Sequence, residues 1–310
     1  MSTEQEQSLD LQAMASAKTH MGEFAMPTVW LGIATALVYT SALVGYVSGT
    51  ISFLAALLPL SFATYAIYTV MHDALHRSIQ GERRHLSWLN EGLGYLSGQV
   101  LMIPFTVHRR SHLAHHAHTN EKDDDPDFSY HSIGKSFTHL VYHSARTGVD
   151  QYGYYFKHCW SKASDQEKTK VVLETLGALS WRVALVVYGP WVEVLSLLTL
   201  SAVLGSMITI YFFAYLVHRP YEAIGRWVDT GSYVYRKKWG VVVDWLWLFQ
   251  NYHAIHHLYP RVPFYRYRQL FDEIESVMLA KESPITYHGG AKPGTAALSP
   301  QVLDNNGVCR

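Results

Sequence analysis

Residues 27–76 read PTVWLGIATALVYTSALVGYVSGTISFLAALLPLSFATYAIYTVMHDALH. From Pro27 to Met71 there is no Lys, Arg, Asp or Glu, and the stretch runs directly into His72-Asp-Ala-Leu-His76. A helix rises ~1.5 Å per residue, and ~20 residues cross a hydrocarbon core. The stretch therefore holds two crossings, with Gly45–Thr50 (GYVSGT) as the hairpin turn. His72 and His76 stand four apart on one helical face where the second crossing emerges, so both rings can reach one ion at the membrane surface. Asp73 beside them is either a carboxylate supporting those rings or the first solvated residue.

A second apolar region runs from about Val171 to Val217, broken at Gly189-Pro190, with Arg182 and Glu193 flanking the break. It also has room for two crossings. Leu86–Phe105 is apolar but short and Gly-rich, and reads as an interfacial or re-entrant piece. The expected organisation is a polar N-terminal arm (1–26), a transmembrane hairpin (27–71), a first polar insert (72–170), a second hairpin (171–217), a second polar segment (218–286) and a disordered Gly/Pro/Ser-rich tail (287–310). No strand-like alternation is sustained, so an all-α integral membrane fold is expected.

Composition narrows the function. Net charge is zero and charged residues are 16% of the chain, against roughly 25% in soluble proteins. No basic excess points to nucleic acid. Cys159 and Cys309 have no metal or redox spacing. The first 26 residues lack the pattern of a cleaved signal. Of 25 Lys and Arg, only Lys18 precedes the first span and only Arg182 lies in the second apolar region. The positive-inside rule then puts both termini and the histidine-bearing segments in the cytoplasm, under a membrane expected to be the bacterial inner membrane.

Two further clusters share one spacing: His112-Leu-Ala-His115-His116 and His253-Ala-Ile-His256-His257. Positions i, i+3 and i+4 share a helical face. Three protonated rings there would repel, and three neutral ones gain little from adjacency, so metal binding is the economical reason for them. Eight imidazoles exceed one ion and suit two. His218, in Tyr215-Leu-Val-His218, follows the fourth span as His72 follows the second, which makes it a ninth ligand. His108, one turn before His112, and His118 read as supporting residues. The acidic run after the second cluster is either a solvated loop or a source of carboxylates for the imidazoles, with Asp125 and Asp127 the candidates.

Imidazole suits Zn, Cu, Fe and Ni. Structural zinc takes four ligands and favours cysteine, and the zinc-protease HExxH motif is absent. A histidine-rich pair of irons with positions open to O2 fits, and is suited to breaking an unactivated C–H bond. Two rival classes are a membrane zinc hydrolase and a metal-binding or transport protein. Transporters place ligands near mid-membrane in broken helices, whereas these clusters sit at span ends.

The three boxes in this order resemble the membrane fatty-acid desaturase and hydroxylase superfamily over roughly residues 60–270. Within it HTNEKDDDPDF, YLVHRP and QNYHAIHHLYPRVPFYRY are most similar to the bacterial β-carotene hydroxylase branch. The resemblance implies four long helices under a cytosolic helical cap. It implies a di-iron centre on His72, His76, His112, His115, His116, His218, His253, His256 and His257, with O2 as co-substrate and ferredoxin or a similar electron donor. Acyl-CoA desaturases carry an asparagine one turn before the histidine matching His218; here Ala214 stands there. Hydroxylation of a carotenoid ring is the first expectation, and desaturation or hydroxylation of an acyl lipid the alternative. Oxygen insertion gives an alcohol and a second hydrogen abstraction gives an alkene, so substrate placement decides between them.

Overall fold

The computed structural model describes residues 2–219 and 222–289. The order begins α1 (Thr3–His20), α2 (Met26–Val47), α3 (Phe53–Leu75), α4 (Ser87–Leu101), α5 (Phe105–His118) and α6 (Phe137–His158). It continues with α7 (Asp165–Tyr188), α8 (Trp191–Thr209), a π-helical turn (Ile210–Tyr215) and α9 (Leu216–His218). After these come β1 (Ser232–Tyr235), α10 (Gly240–Leu246), α11 (His253–Leu258), α12 (Tyr267–Ala280) and β2 (Ile285–His288).

Four helices are long and apolar enough to cross a membrane: α2, α3, α7 and the continuous run Trp191–His218. The expected hairpin turn forms around Gly49, which takes φ +73°, a conformation costing glycine little. Ser52 caps α3 by accepting from the Ala55 amide at 3.3 Å. The third span starts earlier than expected, at Asp165 rather than near 171. Ser164 caps it by accepting from the Glu167 amide at 3.2 Å, and the charged first turns stand outside the apolar part.

All the histidine-bearing ends lie on one side. Thr28, at the start of α2, donates to Asp73 Oδ2 at 2.7 Å near the end of α3. Arg110 of α5 meets Glu167 of α7 at 2.6 Å. The His115 ring of α5 lies 4.8 Å from that of His218. The expected re-entrant piece is α4, whose 15 residues span ~22 Å, short of a ~30 Å core. Its return into α5 is tight: a Cβ at Gly94 would sit 2.4 Å from the Phe105 ring, and one at Gly98 2.9 Å from the Ile103 carbonyl. Arg182 of α7 donates to the carbonyl of Val100 at 2.9 Å, near the end of α4, and so satisfies a backbone acceptor that lipid cannot.

Over the spans sits a cap whose core joins α11 and α12 through Tyr252, Tyr259, Tyr267, Leu270 and Phe271, all buried. The N-terminal segment is more than an arm. Its helix α1 buries Ala13 and Ala17 in that core, and it is tied down at its last residue by His20 Nε2–Glu273 (3.0 Å) and at its middle by Lys281–Asp10 (3.2 Å). Tyr287 and His288 are not tail either: they pair in parallel with Val234 and Tyr235. This four-residue pair is the sheet of the described residues; the expectation for 290–310 lies outside them.

Gly205 of α8 lets two spans touch, since a Cβ there would lie 2.5 Å from Thr64 Cβ and 2.7 Å from the Ser61 carbonyl of α3. Small residues permit such close approach in membranes. Gly205→Val is expected to cost about 1–3 kcal/mol, as overpacking does. A thermal-unfolding series in detergent, read by size-exclusion fluorescence, should show the loss.

Candidate metal centre

Four elements deliver nine imidazoles to one place. The end of α3 carries His72, with His76 as its C-cap. Helix α5 carries His112, His115 and His116 on the expected face, α9 ends on His218, and α11 supplies His253, His256 and His257. They divide into two sets. Ligand atoms of His72, His76, His112 and His256 all lie within 4.8 Å of one another, and so do those of His115, His218 and His257. His116 joins the first set, its Nε2 being 3.1 Å from that of His112 and 2.8 Å from that of His256. His253 joins the second, its ring 5.0 Å from that of His218 and 4.8 Å from that of His257.

The outward nitrogens are held. Asp125 Oδ1 accepts from His115 Nδ1 at 2.8 Å, and Gln250 Oε1 accepts from His253 Nδ1 at 3.1 Å. His256 Nδ1 meets the Tyr267 hydroxyl at 3.0 Å. An imidazole tethered through Nδ1 presents Nε2 inward, as metal-ligating histidines do. Several ring nitrogens have no hydrogen-bond partner although buried: both of His72, Nε2 of His76 and His257, and Nδ1 of His112 and His218. An unsatisfied buried polar atom costs about 1–3 kcal/mol, and a shared cation satisfies several together.

Electrostatics point the same way. Burial, reinforced by neighbouring rings, pushes the imidazoles of His76, His112, His116, His253, His256 and His257 well below their usual value. They are neutral, with lone pairs free for a metal. His115 differs. Burial lowers it, but Asp125, Asp127 and Asp229 outweigh burial and hold it at about 8. Burial raises Asp125 too, and His115 reverses that to leave it below the usual carboxylate range. Burial and Asp125 together push Asp127 up to about 6.

The supporting residues expected from sequence fare unevenly. Asp125 holds His115 as expected. Asp127 Oδ2 is 4.0 Å from His115 Nδ1, and its main contribution is an amide donated to Asp125 Oδ1 at 2.9 Å. Asp73 touches no ligand imidazole; it accepts from Thr28 and from the Phe264 amide at 3.4 Å, joining α2, α3 and the cap. His118 turns away, its side chain 45% exposed and paired with Glu121 at 3.0 Å. His108 stands outside both sets, its Nδ1 donating to Gln151 Oε1 at 3.0 Å. Gln151, Gln250, Tyr267 and Thr119, whose hydroxyl lies 3.4 Å from His257 Nδ1, were not anticipated. Gln250, one turn before His253, had a usable positional signal; Gln151 and Tyr267 had none.

A narrow cleft of about 50 Å3 reaches the histidines from the side of the spans. Tyr68, Ile210, Phe213 and Ala214 form its apolar wall, and His108, Tyr130 and Gln151 its polar wall. The π-helical turn supplies the apolar wall and ends one residue before α9. Such turns widen a helix and recur at functional sites.

Four apolar spans carrying two polyhistidine sets at their ends define a membrane protein able to hold metal beside a small cleft. The description of the fatty acid desaturase family matches residues 48–289, so the chain belongs to that family, whose members are oxygen-dependent oxidoreductases. An endoplasmic-reticulum omega-3 fatty acid desaturase of Nicotiana tabacum is 25% identical over 72% of this chain and 66% of its own length. A ferredoxin-type sn-1 acyl-lipid omega-3 desaturase of Nostoc sp. (strain 36) is 34% identical over 20% of this chain and 16% of its own. An acyl-lipid (7-3)-desaturase of Diacronema lutheri is 33% identical over 36% and 24%. The chain thus spans just under two thirds of the first relative. These names favour the acyl-lipid alternative over the carotenoid expectation.

Removing the carboxylate from His115 tests the tethering. Asp125→Asn is expected to weaken metal at the second set about 10–100-fold, the usual effect of losing such a partner. His118→Ala should leave metal content unchanged. Metal retention during chelator dialysis, followed by elemental analysis, compares them.

Proposed function

We propose that this protein is an acyl-lipid desaturase, converting a methylene pair of a membrane acyl chain to an alkene. The observation that carries the reading is the narrow, one-side-apolar cleft ending at the two histidine sets, in a chain of the desaturase family. The relatives' names support the same choice.

One iron would be held by His72, His76, His112, His116 and His256, the other by His115, His218, His253 and His257. Bound there, the pair of irons supplies O2 activation and the power to remove hydrogen from an unactivated carbon. The balance is R–CH2–CH2–R′ + O2 + 2 e− + 2 H+ → R–CH=CH–R′ + 2 H2O. Two electrons leave the substrate, and two come from a ferredoxin or similar donor.

The chain's own residues do the rest. Phe213, Ile210 and Ala214 line the chain's path and exclude water. Asp125, Gln250 and Tyr267 fix the orientation of His115, His253 and His256. The cap faces the cytoplasm on the charge argument, where a soluble donor can reach it.

Expression in a host supplied with saturated and monounsaturated acyl lipids should yield a new double bond, read by mass spectrometry of fatty-acid methyl esters. The same protein in a β-carotene-accumulating host should yield no hydroxylated carotenoid. A hydroxycarotenoid with an unchanged acyl profile would sink the proposal. His115→Ala and His257→Ala should abolish the product and lower bound iron.

A further inference from the structure

On the cap side, a polar cleft of about 1040 Å3 has the His76 imidazole in its lining. His76 is not isolated there. Its ring lies 4.8 Å from that of His116, which stacks on His257 at 4.3 Å. Through His76 the cleft therefore adjoins a row of three imidazoles drawn from the two sets.

The cleft is cationic. Arg77, Arg84, Arg109, Lys170 and Arg261 line it against two carboxylates, Glu82 and Glu91. Glu91 is occupied by Arg109 at 2.7 Å, and Arg109 is further anchored to the Ala74 carbonyl at 3.2 Å. The other four cations make no ion pair among the described residues. Three arginines elsewhere on the cap are neutralised: Arg266 by Glu23, Arg268 by Asp244, and Arg236 by Asp272 and Glu275.

Arg77 is an unusual residue for its place. The chain leaves α3 through a Schellman turn, with Ser78 N donating to the Asp73 carbonyl at 3.0 Å and Arg77 N to that of Ala74 at 3.2 Å. Arg77 occupies the left-handed position at φ +58°, where glycine is the usual residue and a side chain costs roughly 1 kcal/mol. The fold gains nothing from an arginine here, and its exposed guanidinium stands next in sequence to His76.

We infer that this cleft docks a small acidic electron-carrier protein over the His76–His116–His257 row. Four separated, unpaired cations match several carboxylates on a protein surface, whereas a single lipid phosphate meets one or two. Charge complementarity of this kind guides encounter and register. At each visit the carrier is oxidised by one electron and the metal centre reduced by one, so two visits supply the two electrons of a turnover. The inference rests on the proposed function for its direction of electron flow.

The test uses the full-length, iron-loaded chain in phosphatidylcholine nanodiscs, with an acidic plant-type [2Fe–2S] ferredoxin as probe and binding read by thermophoresis. Binding should weaken as salt rises. The double variant Arg84→Glu/Arg261→Glu should lower affinity about tenfold or more. Arg77→Gly should also weaken binding while melting at or above the wild-type temperature. Reduction of all variants by dithionite should be unchanged. Equal ferredoxin affinity in wild type and variants overturns the inference. So does loss of ferredoxin binding by the wild type when the nanodiscs contain phosphatidylglycerol, restored by no added salt, which assigns the cleft to lipid phosphate. Charge-dependent ferredoxin binding without any desaturated product leaves the docking site standing and removes the acyl-desaturase reading.

Discussion

Nine imidazoles gathered in one place, seven of them on buried residues, are the constraint to which the rest of the structure answers. Most are driven neutral by burial, and several present lone pairs with no proton donor in reach. Protonated, these rings would repel one another; neutral, they leave buried lone pairs without a partner. Only a cation shared among the rings makes the arrangement favourable, and metal-binding free energy then becomes folding free energy. That couples elements distant in sequence: the end of one hairpin, a surface helix, the end of the other hairpin and a six-residue helix in the cap.

The rings need directions as well as neighbours, and their outer partners come from scattered parts of the chain. Asp125 comes from the acidic loop, Gln250 from the 3₁₀ turn before α11, and Tyr267 from the start of α12. Because α12 carries both Tyr267 and the face on which α1 packs, the N-terminal helix indirectly buttresses His256. His115 is the exception to the neutral pattern. Three carboxylates surround it, so the second set sits in a more negative environment than the first. Two metal positions that are alike in ligand type thus differ in the field around them.

Much of this was legible in the sequence, for identifiable reasons. The absence of charge over 27–71 forces a membrane hairpin, and period-four histidines at its end force two rings onto one face. His218 was readable through its position after a span. His118 was misread as a supporting residue because nearness in sequence to the second box hides its helical phase, which turns it to solvent beside Glu121. Asp73 was misread for another reason: its partners, Thr28 and Phe264, lie 45 and 191 residues away. Gln151 reaches His108 from 43 residues away and has no local pattern. Nor does composition announce a π-helical turn, since it inserts an extra residue into an otherwise uniform apolar run.

That turn bears on the choice between alcohol and alkene. A regular α-helix through Ile210–Tyr215 would change the helical phase between Phe213, Ala214 and His218, and the apolar wall would no longer lead to the second histidine set. With the turn in place, Ile210, Phe213 and Ala214 line one small cleft together with His108, Tyr130 and Gln151. A chain held against the apolar side places successive methylenes along a line toward the histidines. Removal of hydrogen from two adjacent carbons requires that both stay within reach of one reactive position, and a narrow guide restricts the sideways movement that would carry the second carbon away. Ala214 is the smallest apolar side chain in that lining, so on the proposed acyl-lipid reading the contour of the π turn would set how closely a chain approaches the second histidine set.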